Sequence, residues 1–66
     1  MNRIKEKRIG RGITQEFLAN ALSTDRSTVA KWETEKARPR ADKLPELAKI
    51  LGCTIDELFK DEQKAH

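Results

Sequence analysis

The chain holds one cysteine, one histidine, no tyrosine, two prolines and three glycines among 66 residues. Each scarcity closes a class of explanation. A lone cysteine cannot form an internal disulfide, and one cysteine with one histidine makes no structural metal site, so neither staple of small domains is at hand. Thiol or histidine catalysis lacks its partners too. Cys53 lies in the apolar stretch KILGCTIDEL, with no base near it in the pattern, and His66 is the last residue. There is no glycine-rich phosphate loop. The chain is therefore read as no enzyme and as having no cofactor or metal. Cys53 reads as a small core residue in a reducing interior. No run approaches the roughly 18 apolar residues of a membrane-spanning helix, and the start MNRIKEKRIG lacks the apolar centre of a signal peptide. No membrane partner is expected, and the location is read as cytoplasmic.

What is abundant is charge, and it is unevenly placed. Residues 1–43 carry 11 Lys/Arg against 6 Asp/Glu, whereas residues 44–66 carry 3 against 5. The basic part is where an acidic partner would dock, and nucleic acid leads the candidates. A chain of this length buries only roughly 60% of its unfolded surface, which predicts one small domain over residues 1–66.

Every break in the pattern coincides with a helix signal, and none resembles a strand. Residues 2–9 read as a short basic helix with Ile4 and Ile9 inward, closed near Gly10 and Gly12. Thr14 offers an N-cap to QEFLANAL, in which Leu18, Leu22 and Ala21 form the apolar stripe. Asp25 caps a helix from Arg26 to about Thr34. EKARPRA is a basic loop in which Pro39 keeps Arg38 out of helical geometry. Asp42 can cap a fourth helix through Leu51, with Pro45 in its first turn and Gly52 at its end. TIDE is a capping box, Thr54 with Glu57, opening a last helix through Phe59. The polar tail from about residue 60, KDEQKAH, reads as frayed. The expectation is an all-α, compact five-helix bundle with Leu18, Val29, Trp32, Leu47, Leu51, Ile55 and Leu58 in its core.

The segment STDRSTVAKWE carries the functional signal. At 100° per residue from Arg26, Val29 and Trp32 fall at about 300° and 240°, while Ala30, Thr34, Ser27 and Lys31 fall between about 40° and 140°. One side anchors the helix and the other presents small, hydrogen-bonding or cationic groups. A helix entering a DNA major groove needs that division, because bulky apolar groups in front would block the base edges. TQEFLANAL, a short turn and this helix together make a helix-turn-helix, with Ala19 slim where the two helices cross.

ITQEFLANAL, RSTVAKWE and LPELAKILGCTIDELF resemble the Xre family of helix-turn-helix regulators, which includes phage repressor and Cro proteins. The similarity runs from about Arg8 to Phe59. It implies a sequence-specific binder of double-stranded DNA, a transcriptional repressor acting as a homodimer on a palindromic operator. It further implies that Gln15 contacts a phosphate, that Arg26, Ser27 and Lys31 read base edges with Thr28 near the backbone, and that Lys36, Arg38 and Arg40 contact phosphate or minor groove. Arg8 is implied to pair with Glu33, and this pair, if exposed, would add under ~1 kcal/mol. Two positions depart from the family. Ser23 stands where glycine is usual in the turn, which implies either a non-glycine residue at positive φ or a reshaped turn, and Thr34-Glu35 replaces Asn-Gly, bringing a negative charge near the phosphates.

Rival readings remain on the sequence alone. A protein-binding module of antitoxin type would use helix 5, with Ile55 or Phe59 as the dimer or partner surface. RNA binding would want exposed aromatics, and Phe17 alone offers one. No sensor segment for a small-molecule effector is evident.

Overall fold

Four of the helix ends in this protein solve the same geometric problem, how to turn the chain after the last helical carbonyl, and they solve it with one motif. The computed structural model describes residues 2–59. Within them lie α1 (Ile4–Gly10), α2 (Gln15–Ala21), α3 (Arg26–Glu33), a 3-10 turn (Ala41–Lys43), α4 (Leu44–Leu51) and α5 (Ile55–Leu58), with no strand among the described residues. This is the expected all-α five-helix architecture. After α1, α2, α3 and α4 a residue takes a left-handed conformation: Gly12 (φ 71°), Ser23 (φ 56°), Glu35 (φ 63°) and Gly52 (φ 69°). In each case the next N–H bonds a carbonyl in the final turn: Ile13 to Arg8 (3.2 Å), Thr24 to Ala19 (2.9 Å), Lys36 to Lys31 (2.9 Å) and Cys53 to Ala48 (3.0 Å). Otherwise orphaned carbonyls are thereby satisfied. The positive φ anticipated at Ser23 is present. Glu35 signals only a charge in the sequence, yet its backbone does the work that glycine does elsewhere.

Helix starts follow their chemistry with two corrections. Thr14 Oγ1 accepts the Phe17 N–H at 3.0 Å, and Thr54 with Glu57 forms the reciprocal capping box. Asp25 occupies the N-cap position of α3, but its carboxylate accepts the Thr28 hydroxyl (3.1 Å) and makes no cap to the backbone. Asp42 does not cap α4. It lies inside the 3-10 turn, and α4 begins after Lys43 with Pro45 in its first turn. A tighter turn places the residues before Pro45 without asking the ring to fit inside an α-helix.

The core consists of Ile4, Leu18, Ala19, Leu22, Val29, Trp32, Leu47, Ala48, Leu51, Leu58 and Phe59. α2 packs chiefly on α3, and α4 links to both α1 and α5. Ile9 does not point inward. It is 58% exposed, because five residues of α-helix rotate it about 140° from buried Ile4. Ala21 is likewise exposed, and Ala19 takes the inner position at the α2–α3 crossing. Ile55 and Cys53 are only half-buried against the core. Phe59, expected on a partner surface, is instead buried, and the Arg38 guanidinium stands 5.4 Å from its ring centroid. The tail from residue 60, with His66, lies outside the described residues.

Polar ties join α3 to the rest. Arg8 donates to Glu33 through Nε (2.6 Å) and Nη2 (3.3 Å), and its Nη1 reaches the Ile13 carbonyl (2.8 Å). The pair is not an exposed one: the side chains are 12% and 2% accessible. Asn2 bridges the start of α1 and the end of α3, accepting from the Ile4 N–H (3.1 Å) and donating to the Trp32 carbonyl (2.9 Å).

Three stability outcomes are expected. Ser23→Gly removes Cβ strain at a left-handed position and should stabilise the fold by up to ~1 kcal/mol, raising Tm by several degrees in a thermal melt. Gly52→Ala should do the opposite, since its φ of 69° strains any L side chain, and the Arg11 guanidinium, 2.7 Å from the new Cβ, would also have to move aside. A melting point lowered by Ser23→Gly would contradict the left-handed turn. Glu33→Ala strands the Arg8 cation in a largely dry site and should cost ~3–5 kcal/mol in urea unfolding. A loss below ~1 kcal/mol would mean that water screens the pair as it does at a surface.

Candidate nucleic-acid interface

Burying Val29 (0% exposed) and Trp32 (4%) leaves α3 only one side to present. On that side Arg26, Ser27 and Lys31 are exposed, with Ala30 half-buried between them. Ala30 keeps the surface low, so the flanking cation and hydroxyl define its relief. Thr34, just past the last turn, is exposed but engaged, its hydroxyl donating to the Ala30 carbonyl at 3.0 Å. Thr28 is half-buried at the edge of the surface, tied to Asp25.

The basic loop folds back beside this face. Lys36 and Ala37 N–H groups both reach the Lys31 carbonyl, at 2.9 and 3.3 Å, so Lys36 follows the helix directly rather than trailing away. Ala37 packs partly on the core and Pro39 is buried, which leaves Lys36, Arg38 and Arg40 exposed on alternate positions. An extended stretch produces that alternation, as Arg40 does with φ −67° and ψ 151°. Arg38 differs from its two neighbours because its guanidinium also covers Phe59. Glu35, in the same loop, is exposed.

Gln15 opens α2 and is half-buried. Its Nε2 donates to Glu33 Oε1 at 3.0 Å. The structure therefore brings Gln15, Arg8 and Glu33 together at one seam, while Arg26, Ser27 and Lys31 share the α3 surface and Lys36, Arg38 and Arg40 line the loop. Two anchoring contacts carry no signal in the sequence pattern. One is the Asn2 bridge; the other is Lys43, whose Nζ donates to the Leu22 carbonyl and ties the end of α2 to the entry of α4. Both depend on a backbone carbonyl brought near by the fold, which spacing along the chain cannot reveal.

Little else at the surface offers chemistry. Burial pushes the Cys53 thiol above its usual range; Lys7 opposes this and Glu57 adds to it, so the sulfur stays protonated at neutral pH. Among the described residues no cluster of His, Cys, Asp and Glu could hold a metal ion, and no helix is long and apolar enough to cross a membrane.

Known proteins resemble this chain in sequence and fold. A family model described as helix-turn-helix matches residues 4–58. The chain is 36% identical over 61 residues to the HTH-type transcriptional activator BcrR of Enterococcus faecalis, covering 92% of this chain and 30% of that protein. It is 29% identical over 62 residues to the cryptic phage CTXphi transcriptional repressor RstR of Vibrio cholerae, covering 94% and 56%. A prophage-derived HTH-type regulator of Bacillus subtilis strain 168, YonR, is 36% identical over 58 residues, with 88% and 54% covered. The chain thus spans between 30% and 56% of the length of these relatives. Among solved structures, the P22 c2 repressor in complex with a synthetic operator matches with a TM-score of 0.77 at 28% identity, over 82% of each chain. The chain belongs to the helix-turn-helix family of the Xre, phage-repressor type.

Proposed function

We propose that residues 1–66 act as one DNA-binding domain of a transcriptional regulator that recognises double-stranded DNA by sequence and works as a homodimeric repressor on a palindromic operator in the cytoplasm. The observation that carries this reading is the two-sided α3: Val29 and Trp32 anchor it, and Arg26, Ser27 and Lys31 stand exposed on the outer side. An anchored helix with a low polar front fits a major groove, where long cations reach guanine O6 and N7. Lys36, Arg38 and Arg40, exposed on the loop after α3, are assigned to the phosphates flanking that groove. Gln15 and Thr28 border the same surface and are assigned to the DNA backbone. Support from the relatives is for regulation in both directions, since one is described as an activator and another as a repressor. Repression is preferred because a domain that occupies an operator blocks access by position alone. No membrane partner and no small-molecule effector enter this reading.

Dimerisation follows from the size of the reading head. One short recognition helix spans too few base pairs for strong discrimination, and a two-fold pair doubles the contacts. Phe59 is not available for that pairing, being buried under Arg38. Ile55, half-buried on α5, remains, and among the described residues Ile9 and Phe17 are the large apolar side chains left exposed.

Reading and holding separate experimentally. Lys31→Ala should cost roughly 1–3 kcal/mol on the preferred site and relax preference at one base pair per half-site. Gln15→Ala should weaken all sequences about equally, because phosphates carry no sequence. A dimer that neutralises about 8 phosphates should show log K falling against log[salt] with a slope near −7. Affinities of both variants across single-base operator changes decide the assignment. A uniform loss for Lys31→Ala would make it a phosphate contact, and no binding to any duplex at low salt would end the reading.

A further inference from the structure

Glu33 is an odd neighbour for a surface that is to meet a polyanion. Its carboxylate lies in the seam where α3 meets Arg8 of α1 and Gln15 of α2, with the side chain only 2% exposed. Arg8 supplies two donors to it and so cancels its charge locally. Gln15 supplies a third, and here the chemistry is directional. A carboxylate only accepts, so it selects the nitrogen end of the Gln15 amide and holds the carbonyl end away.

We propose that Glu33 is a positioning residue for DNA binding, which fixes the Gln15 amide so that its nitrogen bridges two anions, the Glu33 carboxylate and a phosphate oxygen of the duplex. An –NH2 group has two N–H donors. One is committed to Glu33 Oε1 at 3.0 Å, and the second remains for an acceptor arriving from outside, since Gln15 is half-buried rather than enclosed. Without Glu33 the amide turns freely and presents its carbonyl as often as its nitrogen, and a carbonyl repels phosphate. Arg8 is part of the device. It lets an acidic group stand behind the contact without driving the phosphate off. This inference rests on the DNA-binding reading and adds the reason why Gln15 donates.

Glu33→Gln tests it with little change of shape. The shortest Arg8 bond is to Oε2, at 2.6 Å, so the new carbonyl oxygen takes that place; the new –NH2 replaces Oε1, the atom that Gln15 meets, and the longer 3.3 Å bond from Arg8 Nη2 is given up. Two –NH2 groups cannot pair, so Gln15 turns round and offers its carbonyl inward. In the wild-type background Gln15→Ala should lower duplex affinity about tenfold, the worth of a hydrogen bond to a charged group. In the Glu33→Gln background the same change should cost under about twofold, because the donor is no longer held. A purely structural role for Glu33 makes the two effects multiply independently, and that result overturns the proposal. Wild-type NMR gives a second readout should the variant fail to fold. In free protein one Gln15 side-chain amide proton should be protected from exchange, and on addition of operator duplex the other should move downfield. Two protons exchanging freely in the absence of DNA would overturn the proposal. If wild-type protein binds no duplex at all, both this proposal and the functional reading fall; if it binds and the cycle is additive, this one alone falls.

Discussion

The carboxylate of Glu33 is where the parts of this small molecule are held in register. Arg8 brings α1 to it and, through the Ile13 carbonyl, brings the α1–α2 loop as well. Gln15 brings the start of α2, and Glu33 itself is the last residue of α3. The angle between α2 and α3 decides whether a recognition surface and its flanking contacts meet one ligand together. Hydrophobic packing alone sets that angle loosely, since Leu18, Ala19, Leu22 and Val29 would tolerate some sliding. Hydrogen bonds to a dry carboxylate do not tolerate it, because each one lost leaves a polar group without its partner. The ion pair thus contributes geometry at least as much as free energy, a role that buried pairs fill in some proteins.

A domain of this size has little stability to lose, and its core is drawn from a short list of aliphatic side chains, one tryptophan and one phenylalanine. It nevertheless keeps two L-residues, Ser23 and Glu35, in left-handed backbone at a cost of about 1–2 kcal/mol each. Both positions flank α3, and both set the direction in which the chain enters or leaves it. Trp32 offsets part of that cost by burying a large surface in the middle of the same helix. Its carbonyl also accepts from Asn2 and from the Glu35 N–H, so the anchor is polar as well as apolar. α3 is thus held by its own buried side chains and by polar ties to Arg8, Gln15 and Asn2.

Much of this was legible in the residues. Thr14, the Thr54–Glu57 box and Gly52 each announce a helix boundary through local chemistry, and local chemistry is what a sequence displays directly. The opposed faces of α3 follow from helical angle and needed no tertiary information. Errors arose where a three-dimensional neighbour decides. Ile9 looks as apolar as Ile4, yet the helix is too short to wrap a second apolar side, and none of the described elements covers it. Phe59 looks like a free aromatic at the end of a helix until Arg38 is seen above it. Asp42 resembles a cap, but Pro45 makes the chain approach α4 through a tighter turn. The exposure of Arg26, Ser27 and Lys31 on α3, and of Lys36, Arg38 and Arg40 on the loop after it, follows from helical angle and from the break at Pro39; the tie from Gln15 to Glu33 does not follow from any pattern, because it joins residues from separate helices.

The central claim is that one continuous surface, from the start of α2 across the outer side of α3 to the loop at residues 36–40, meets double-stranded DNA. Backbone amide shifts during titration with an operator-length duplex test it most directly, because they map the contact without any substitution. The account predicts that the largest changes fall at Gln15, at residues 26–31 and at residues 36–40, with little change at Glu46, Lys49 and Asp56 on α4 and α5. Changes concentrated on α4 and α5, with Arg26, Ser27 and Lys31 undisturbed, would contradict it.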